Sequence, residues 1–236
     1  MFFFNPTYLI FMIPAFILMG ITSWYVKQSY KKWSQVRAGS GLNGQQAAQR
    51  LISNGNLYGV QVQSTQGELS DHYDPRDKTL YLSSSVANSP SVASVAVAAH
   101  ELGHAMQDAE EYFPLRFRAA LVPAVNIGSN LGWVLIMVGL IFLRSTTLGL
   151  NIAWLGVIFF AGGAVFALAT LPVEFDASAR AKQLLRQTGI IQTDEEMRGV
   201  NQVLNAAALT YVAGLVTAVL QLLYYVFLVG GGRRRG

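Results

Sequence analysis

The sequence predicts an α-helical, multi-pass membrane protein with four transmembrane helices and a small α+β unit on one side of the membrane. Only 13% of its residues are charged and 52% are hydrophobic, whereas about a quarter of the residues of an ordinary soluble domain are charged. Nearly all of the charged residues lie in two segments, 27–120 and 172–204. The rest of the chain consists mainly of long apolar runs, which is the pattern of a polytopic membrane protein.

The four apolar runs are the predicted transmembrane helices. They are residues 8–26, 121–143, 148–171 and 206–229, and each is uncharged over at least 19 residues. A helix rises about 1.5 Å per residue, so roughly 20 residues cross a bilayer core of about 30 Å. Helices of globular proteins average about 11–12 residues, so buried soluble helices fit these runs less well. We expect the first run to be a retained anchor, because no basic residue precedes it as in a signal peptide.

The basic residues predict the orientation of the spans. Most of them lie in the two charged segments, including Lys27, Lys31, Lys32, Arg37, Arg116, Arg118, Arg180, Lys182, Arg186 and Arg198. By the positive-inside rule, 27–120 and 172–204 are cytoplasmic loops. Arg233, Arg234 and Arg235 after the last span oppose this orientation. Because two spans separate the two loops, both lie on the same side in either orientation and can build one site together.

The first loop has the patterning of a small α+β unit. Residues 45–52 have helical spacing of Ala, Leu and Ile, and Ser53-Asn54-Gly55 ends that helix. Residues 58–63 alternate apolar and polar side chains, and 79–82 is a second β-favouring run, so both are predicted strands. The stretch from 91 to about 110 is rich in Ala, Val and Leu and is the longest predicted helix of the loop.

Composition excludes several classes of protein. The chain has no Cys, which excludes a disulfide scaffold and a thiolate metal site. Its hydrophobicity excludes intrinsic disorder. The net charge of +4 is modest, and no basic stripe with interleaved aromatic residues is present, so we expect no nucleic-acid partner. None of the predicted spans contains an ionisable Asp, Glu, Lys, Arg or His, which argues against a transporter.

The pattern with chemical meaning is His-Glu-Leu-Gly-His at residues 100–104, within the longest helix of the first loop. In a helix, residues four apart project from one face, so His100 and His104 can take two corners of a tetrahedral zinc site. Glu101 then lies next to a zinc-bound water, from which it can remove a proton. A pair of structural histidines in an Ala-rich helix is the alternative interpretation.

The third zinc ligand must come from elsewhere in the chain. A catalytic zinc usually keeps three protein ligands and one open position. Without Cys, the third ligand is His72 or a carboxylate, and Glu174 is favoured because it directly follows the third span. Pro172 suits the first turn of a new helix there. An acidic residue also stabilises a helix N-terminus by itself, which is the alternative role for Glu174.

Four stretches resemble signature regions of the YugP-type membrane zinc metallopeptidases. They read Asp-His-Tyr-Asp-Pro at 71–75, Leu-Tyr-Leu-Ser at 80–83, Ala-Ala-His-Glu at 98–101 with its continuation to Gln107, and Leu-Pro-Val-Glu-Phe-Asp-Ala-Ser at 171–178. The resemblance extends from about Gly39 to the fourth span, which is most of the chain. A more distant resemblance is to the HtpX-like membrane peptidases.

This resemblance implies a zinc-dependent endopeptidase with the ligands His100, His104 and Glu174. Glu101 would be the base that assists attack of zinc-bound water on the peptide bond. The implied substrates are proteins or peptides in or near the lipid bilayer, and the implied location is the bacterial inner membrane with the active site facing the cytoplasm. The alternative is a catalytically idle membrane protein in which zinc only clamps the loops, and which does not need Glu101.

Three further expectations concern the surroundings of the zinc. His72 is a catalytic candidate, because it can donate a hydrogen bond to the oxyanion, with a structural role in its turn as the alternative. In HtpX-like peptidases an Asp four residues after the ligand Glu often orients a zinc-bound His, but Ser178 occupies that position here. Asp176 lies about 200° around the helix from the ligand Glu, and pairing with Arg180 is its alternative role. Strand 79–82 is expected to be a free edge that pairs with an extended substrate.

Overall fold

The computed structural model describes residues 6–142 and 146–231, which are mostly helical. In chain order its elements are α1 (Pro6–Ser34), α2 (Gly44–Asn54), β1 (Gln61–Thr65), β2 (His72–Asp74), β3 (Thr79–Ser83), α3 (Ser84–Asn88), α4 (Val92–Ala109), α5 (Phe113–Met137), a π-helix (Val138–Phe142), α6 (Thr147–Gln187) and α7 (Asp194–Gly230).

Four of these helices are long and apolar enough to cross a membrane, judged by length and composition: α1, α5 with the π-helix, α6 and α7. α1, α6 and α7 each contain one predicted span, and α5 with the π-helix contains residues 121–142 of the remaining one. Leu143, the last residue of the second predicted span, lies outside the described residues, and so do Arg233, Arg234 and Arg235. The structure therefore confirms a mostly helical chain with four candidate membrane-spanning helices and a small sheet.

The prediction that Pro172 begins a new helix is wrong, because α6 runs for 41 residues without a break and contains Pro172 in its interior. A proline inside a helix costs about 3 kcal/mol or more. Buried side chains follow it at helical spacing, namely Val173, Ala177, Ala181 and Leu184. Burying one large apolar side chain contributes about 1.5–3 kcal/mol, so the stripe offsets the cost of the proline. Glu174 is therefore held on a helix that continues directly from the third predicted span.

The chain divides into two compact units. The first, which we call the polar unit, comprises Thr22–Leu115 and Pro172–Leu209. The second, the bundle unit, comprises the described parts of Met1–Ile21, Arg116–Leu171 and Thr210–Gly236. The largest fully buried side chains of the polar unit's core are Leu51, Leu80, Leu82, Leu102, Leu185 and Ile190. The two loops that the sequence places on one side thus contribute to one core.

The sheet of the polar unit has three strands in the order β1-β3-β2. β3 pairs in parallel with β1 and antiparallel with β2, so it is the central strand. The prediction that residues 79–82 form a free edge is wrong. Leu80 and Leu82 are fully buried, whereas the partner strands carry the exposed residues expected of edges. The predicted strand 58–63 begins later, at Gln61, because Gly59 adopts a left-handed conformation with φ of +100°.

The bundle unit has a smaller buried cluster, formed by Ile136, Ala153, Val157, Tyr224, Tyr225 and Val229. Its helices α5 and α6 approach closely at two glycines. A Cβ atom on Gly132 would lie 2.7 Å from the carbonyl oxygen of Gly156, and one on Gly156 would lie 2.6 Å from that of Gly132. Small residues of this kind allow helix backbones to pack closely where lipid, rather than water, surrounds them.

Candidate metal centre

Helix α4 carries the His-Glu-Leu-Gly-His sequence in the middle of a buried helix. Ser91 caps its N-terminus, since the Ser91 side chain accepts a hydrogen bond from the backbone N–H of Ser94. The helix is buried over most of its length, including Leu102, Gly103 and Ala105 next to the two histidines. This packing fixes the direction in which the side chains of residues 100–104 point.

A glycine of the motif sets the distance between α4 and α6. A Cβ atom on Gly103 would lie 2.4 Å from the carbonyl oxygen of Ala177 and 2.9 Å from its carbonyl carbon. Real Cβ atoms do not approach main-chain atoms this closely, so only glycine fits at the crossing of the two helices. The contact brings the histidine face of α4 against the turn of α6 that contains Glu174.

His100, His104 and Glu174 meet at this crossing and could hold a metal ion. One ligand atom from each lies within 4.8 Å of the others. The Glu174 Oε2 atom is 3.3 Å from His100 Nε2 and 3.6 Å from His104 Nε2. Ligands of a tetrahedral zinc at about 2.0–2.2 Å lie roughly 3.3–3.6 Å apart, so these two distances and the donor types fit zinc.

The ionisation of the group suits a cation. Burial alone raises the pKa of Glu174, but the facing imidazoles of His100 and His104 lower it, and the net shift is below its ordinary value. Burial has the opposite effect on His104 and lowers its pKa, but the neighbouring carboxylates of Glu174 and Glu101 raise it, and the net shift is upward. Glu174, which is 3% exposed, is thus an ionised carboxylate kept from bulk water.

Both imidazoles have a hydrogen-bond partner on the nitrogen that faces away from Glu174. His100 Nδ1 lies 3.2 Å from Ser178 Oγ, and His104 Nδ1 lies 3.0 Å from Gln107 Oε1. Such partners orient metal-binding histidines and select the ring nitrogen that is free to bind. Both Nε2 atoms therefore point to the same place.

Glu101 is partly buried beside the histidines. Burial raises its pKa above the ordinary value, the charges of His100 and His104 lower it, and the nearby carboxylates of Glu174 and Asp71 raise it again, with a net upward shift. A carboxylate with a raised pKa is a stronger base near neutral pH than an exposed one.

The structure places His72 outside this group. It is exposed on β2, at the edge of the sheet, where its ring stacks on Tyr81 of β3 with centroids 4.8 Å apart. Its Nδ1 atom donates a hydrogen bond to the Ser70 carbonyl oxygen at 2.8 Å. Among the described residues, the group that could hold a metal does not include His72.

The sequence interpretation missed two contacts of the site. Ser178, four residues after Glu174, contacts His100 directly. Asp176 accepts hydrogen bonds from Arg180, which is its alternative role, and also from Gln107. The i+3 spacing of Gln107 from His104 was visible in the sequence. Its second contact, across to α6, was not, because it depends on where α6 crosses α4.

Comparisons with known proteins extend over almost the whole chain. Residues 8–230 match the family model described as "Putative neutral zinc metallopeptidase". The chain is 40% identical over 229 residues to the "Putative membrane protease YugP" of Bacillus subtilis (strain 168), which covers 95% of this chain and 99% of that protein. No solved structure matches the chain. The matched region includes both α4 and the Glu174 turn of α6.

Proposed function

The chain belongs to the neutral zinc metallopeptidase family, and from this membership we propose that it is a multi-pass membrane endopeptidase that cuts membrane or membrane-associated proteins. The observation that supports this most directly is the meeting of His100, His104 and Glu174 on two crossing helices, with Glu101 beside them. A donor set of two histidines and one glutamate leaves a fourth position open, as catalytic zinc sites do.

In this proposal, His100, His104 and Glu174 hold the zinc, and Glu101 moves the proton. Bound zinc supplies a Lewis acid that lowers the pKa of water and polarises the peptide carbonyl group. Glu101 accepts a proton from the attacking water and then delivers it to the nitrogen of the leaving amine. Its raised pKa makes it a stronger base for the first transfer than an exposed carboxylate would be.

His72 enters the proposal with a chemical condition. Its Nδ1 atom already donates a proton to the Ser70 carbonyl oxygen, so in the neutral ring Nε2 is an acceptor. His72 can therefore donate a hydrogen bond to a developing oxyanion only when both ring nitrogens carry protons.

The proposed orientation places the polar unit in the cytoplasm. Its support is the concentration of basic residues in 27–120 and 172–204, which flank the candidate membrane helices. Substrates would then be the cytoplasmic parts of proteins in or near the bilayer.

The experiment compares cells that produce the wild-type chain, Glu101→Gln and Glu68→Gln. Glu68 is exposed in the first loop, so Glu68→Gln makes the same chemical change outside the site. Fragments of membrane proteins should be formed with wild type and Glu68→Gln, and the rate should fall about 10²–10⁴-fold with Glu101→Gln. The Glu101→Gln protein should keep its zinc, because the amide removes a base and not a ligand.

Purified protein separates this proposal from the structural zinc clamp. A structural clamp binds zinc but cuts nothing. With a clamp, the fragments of membrane proteins seen in cells therefore do not depend on Glu101. If wild type and Glu101→Gln give the same fragments, at the same rate, from an unfolded test protein, then peptidase activity at this site is refuted.

A further inference from the structure

Gln107 is a buried amide whose polar atoms are all engaged. It lies one turn after His104 on α4 and is fully buried. Its Oε1 atom accepts a hydrogen bond from His104 Nδ1 at 3.0 Å. Its Nε2 atom donates to the main-chain carbonyl oxygen of Val173 and to Asp176 Oδ2, both at 2.8 Å and both on α6. The side chain thus joins His104 to the helix that carries Glu174.

The two partners on α6 permit only one orientation of the amide. A main-chain carbonyl oxygen and a carboxylate oxygen both accept hydrogen bonds and cannot donate them. If the amide were flipped, its oxygen would face these two acceptor oxygens in a buried place, and neither hydrogen bond from Gln107 to α6 could form. Leaving one buried polar group unpaired costs about 1–3 kcal/mol, so the flipped orientation is strongly disfavoured.

Asp176 is itself held in place by an ion pair. Arg180 donates from Nε to Asp176 Oδ2 at 2.5 Å and from Nη1 to Glu110 Oε2 at 2.7 Å. Arg180 also lies over the ring of Tyr112, 5.5 Å from its centroid. The charge of Asp176 is therefore balanced, and its Oδ2 atom stays where Gln107 needs an acceptor.

We propose that Gln107 is the positioning residue of His104. Because its oxygen must face the ring, His104 Nδ1 must carry the proton, and the lone pair of the neutral imidazole is then on Nε2. That is the nitrogen 3.6 Å from Glu174 Oε2. Gln107 thus fixes both the tautomer and the rotation of the ring.

Asp176 acts on His104 through Gln107. Hydrogen bonds in a chain polarise one another, so a carboxylate that accepts from the amide nitrogen makes the amide oxygen a better acceptor. A stronger bond at Nδ1 raises the basicity of the ligand nitrogen. This inference rests on the proposal that His104 holds the metal, but it does not require peptidase activity.

The first measurement uses the zinc-loaded full chain in detergent with ¹⁵N-labelled histidine. The chain has three His residues, so the spectrum is simple and His72 provides an internal reference. In wild type, His104 should show a proton on Nδ1 that exchanges slowly with solvent. A wild-type His104 with no proton on Nδ1 overturns the proposal, whatever any variant does.

The second measurement is zinc affinity by competition with a chelator. Gln107→Met keeps the volume of the side chain but removes the acceptor, and zinc affinity should fall about 10–100-fold. Asp176→Asn keeps Gln107 but replaces the charged acceptor that Gln107 shares with Arg180 by a neutral one, so its loss should be smaller. The matched control is Gln183→Met, which makes the same change on an exposed face of α6 and should bind zinc like wild type.

The outcomes separate this inference from the proposed function. Wild-type zinc affinity in folded Gln107→Met overturns the positioning role, even if the chain is a peptidase. A 10–100-fold loss with the His104 Nδ1 proton now in rapid exchange supports it, even if no peptide is cut. If Gln107→Met fails to fold, the Nδ1 proton of wild type and the graded loss in Asp176→Asn decide the question.

Discussion

Helices approach one another closely at glycines in both units. In the polar unit, Gly103 of α4 lies against the backbone of Ala177 on α6. In the bundle unit, Gly132 of α5 lies against the backbone of Gly156, also on α6. The hypothetical Cβ distances are similar, 2.4 Å in the first contact and 2.7 Å in the second. The packing device is therefore the same in both places.

The surroundings of the two contacts differ. Around Gly103 lie the side chains of the candidate metal group and their hydrogen-bond partners, whereas the contact at Gly132 is made with Gly156, Phe159 and Phe160. A close helix contact is thus a general way of packing, and the side chains placed beside it decide whether it also carries chemistry. Substitutions should accordingly separate packing from metal binding.

The largest effect is expected from a substitution that removes a proposed metal ligand beside the Gly103 contact and leaves the helix packing intact. Glu174→Ala deletes one of three proposed ligands, and zinc affinity should fall about 10³-fold or more, because a complete zinc site is worth roughly 10–16 kcal/mol. Wild type should hold about one zinc per chain. Zinc content by elemental analysis, with circular dichroism to follow the fold, measures both effects.

Glu195→Ala is the control, since Glu195 is exposed in the first turn of α7. It should keep its zinc. Undiminished zinc in folded Glu174→Ala would move the third ligand to another residue, and His72 would be tested next.

An effect of intermediate size is expected when the two glycines, Gly103 and Gly132, are each replaced by alanine. Gly103→Ala and Gly132→Ala each gain up to about 1 kcal/mol of helix propensity. Each also places a Cβ atom against main-chain atoms that cannot move aside, which typically costs about 1–3 kcal/mol. We expect both to lower the unfolding temperature, but only Gly103→Ala to weaken zinc binding, by about tenfold or more, because it separates α4 from Glu174.

Thermal unfolding and chelator competition on the same preparations check this comparison. Equal losses of zinc affinity in the two variants would mean that the metal group depends on packing throughout the chain and not on its own contact. Unchanged zinc affinity in Gly103→Ala would show that the α4–α6 distance does not control the group.

The parts of this fold that the sequence predicts are those with local causes. Apolar length predicts the four candidate spans, and the i, i+4 spacing of His100 and His104 predicts their common face. The continuation of α6 through Pro172 depends instead on burial of the residues after it, which is a tertiary effect that overrides local propensity. The central position of β3 likewise depends on how the sheet packs, because Leu80 and Leu82 are equally apolar in an edge strand.

In the candidate site, too, the sequence predicts what has a local cause and misses what depends on tertiary packing. Spacing predicts His100, Glu101 and His104 as site residues, and Glu174 is predicted from its place after a span and from the resemblance. Gln107 and Ser178 are ordinary helix residues in the sequence, and their contacts exist only because α4 crosses α6 at Gly103.

The smallest expected effect is the loss of stability of the polar unit at acidic pH. All 13 Asp and Glu residues lie in segments of the polar unit, so acid should weaken that unit and leave the bundle unit nearly unchanged. Glu196 is the clearest case. It caps the N-terminus of α7 and accepts hydrogen bonds from Thr193 N at 2.9 Å, Gln192 N at 3.0 Å and the backbone N–H of Gly39. It therefore ties the chain around Gly39 to the start of α7.

The direction of the pH effect follows from the pKa of Glu196. Burial raises this pKa, but the backbone hydrogen bonds from Gly39, Gln192 and Thr193 lower it, and the net shift is downward. A lowered pKa gives stability that is fully present above the unfolded value, about 4.3, and is lost as the pH falls through the folded value.

Hydrogen exchange at pH 7 and near pH 3, corrected for the intrinsic pH dependence of exchange, should show loss of protection around Gly39 and residues 190–197 at the lower pH, but not in α5. Glu196→Gln should cost about 1–2 kcal/mol at pH 7, since it replaces a charged acceptor by a neutral one. In the Glu196→Gln variant, the protection of this region should also differ much less between pH 7 and pH 3 than it does in wild type. Glu195→Gln, at the exposed neighbour, should do neither. Equal acid sensitivity of α5, or an equal effect of Glu195→Gln, would mean that acid does not act on the polar unit through the Glu196 cap.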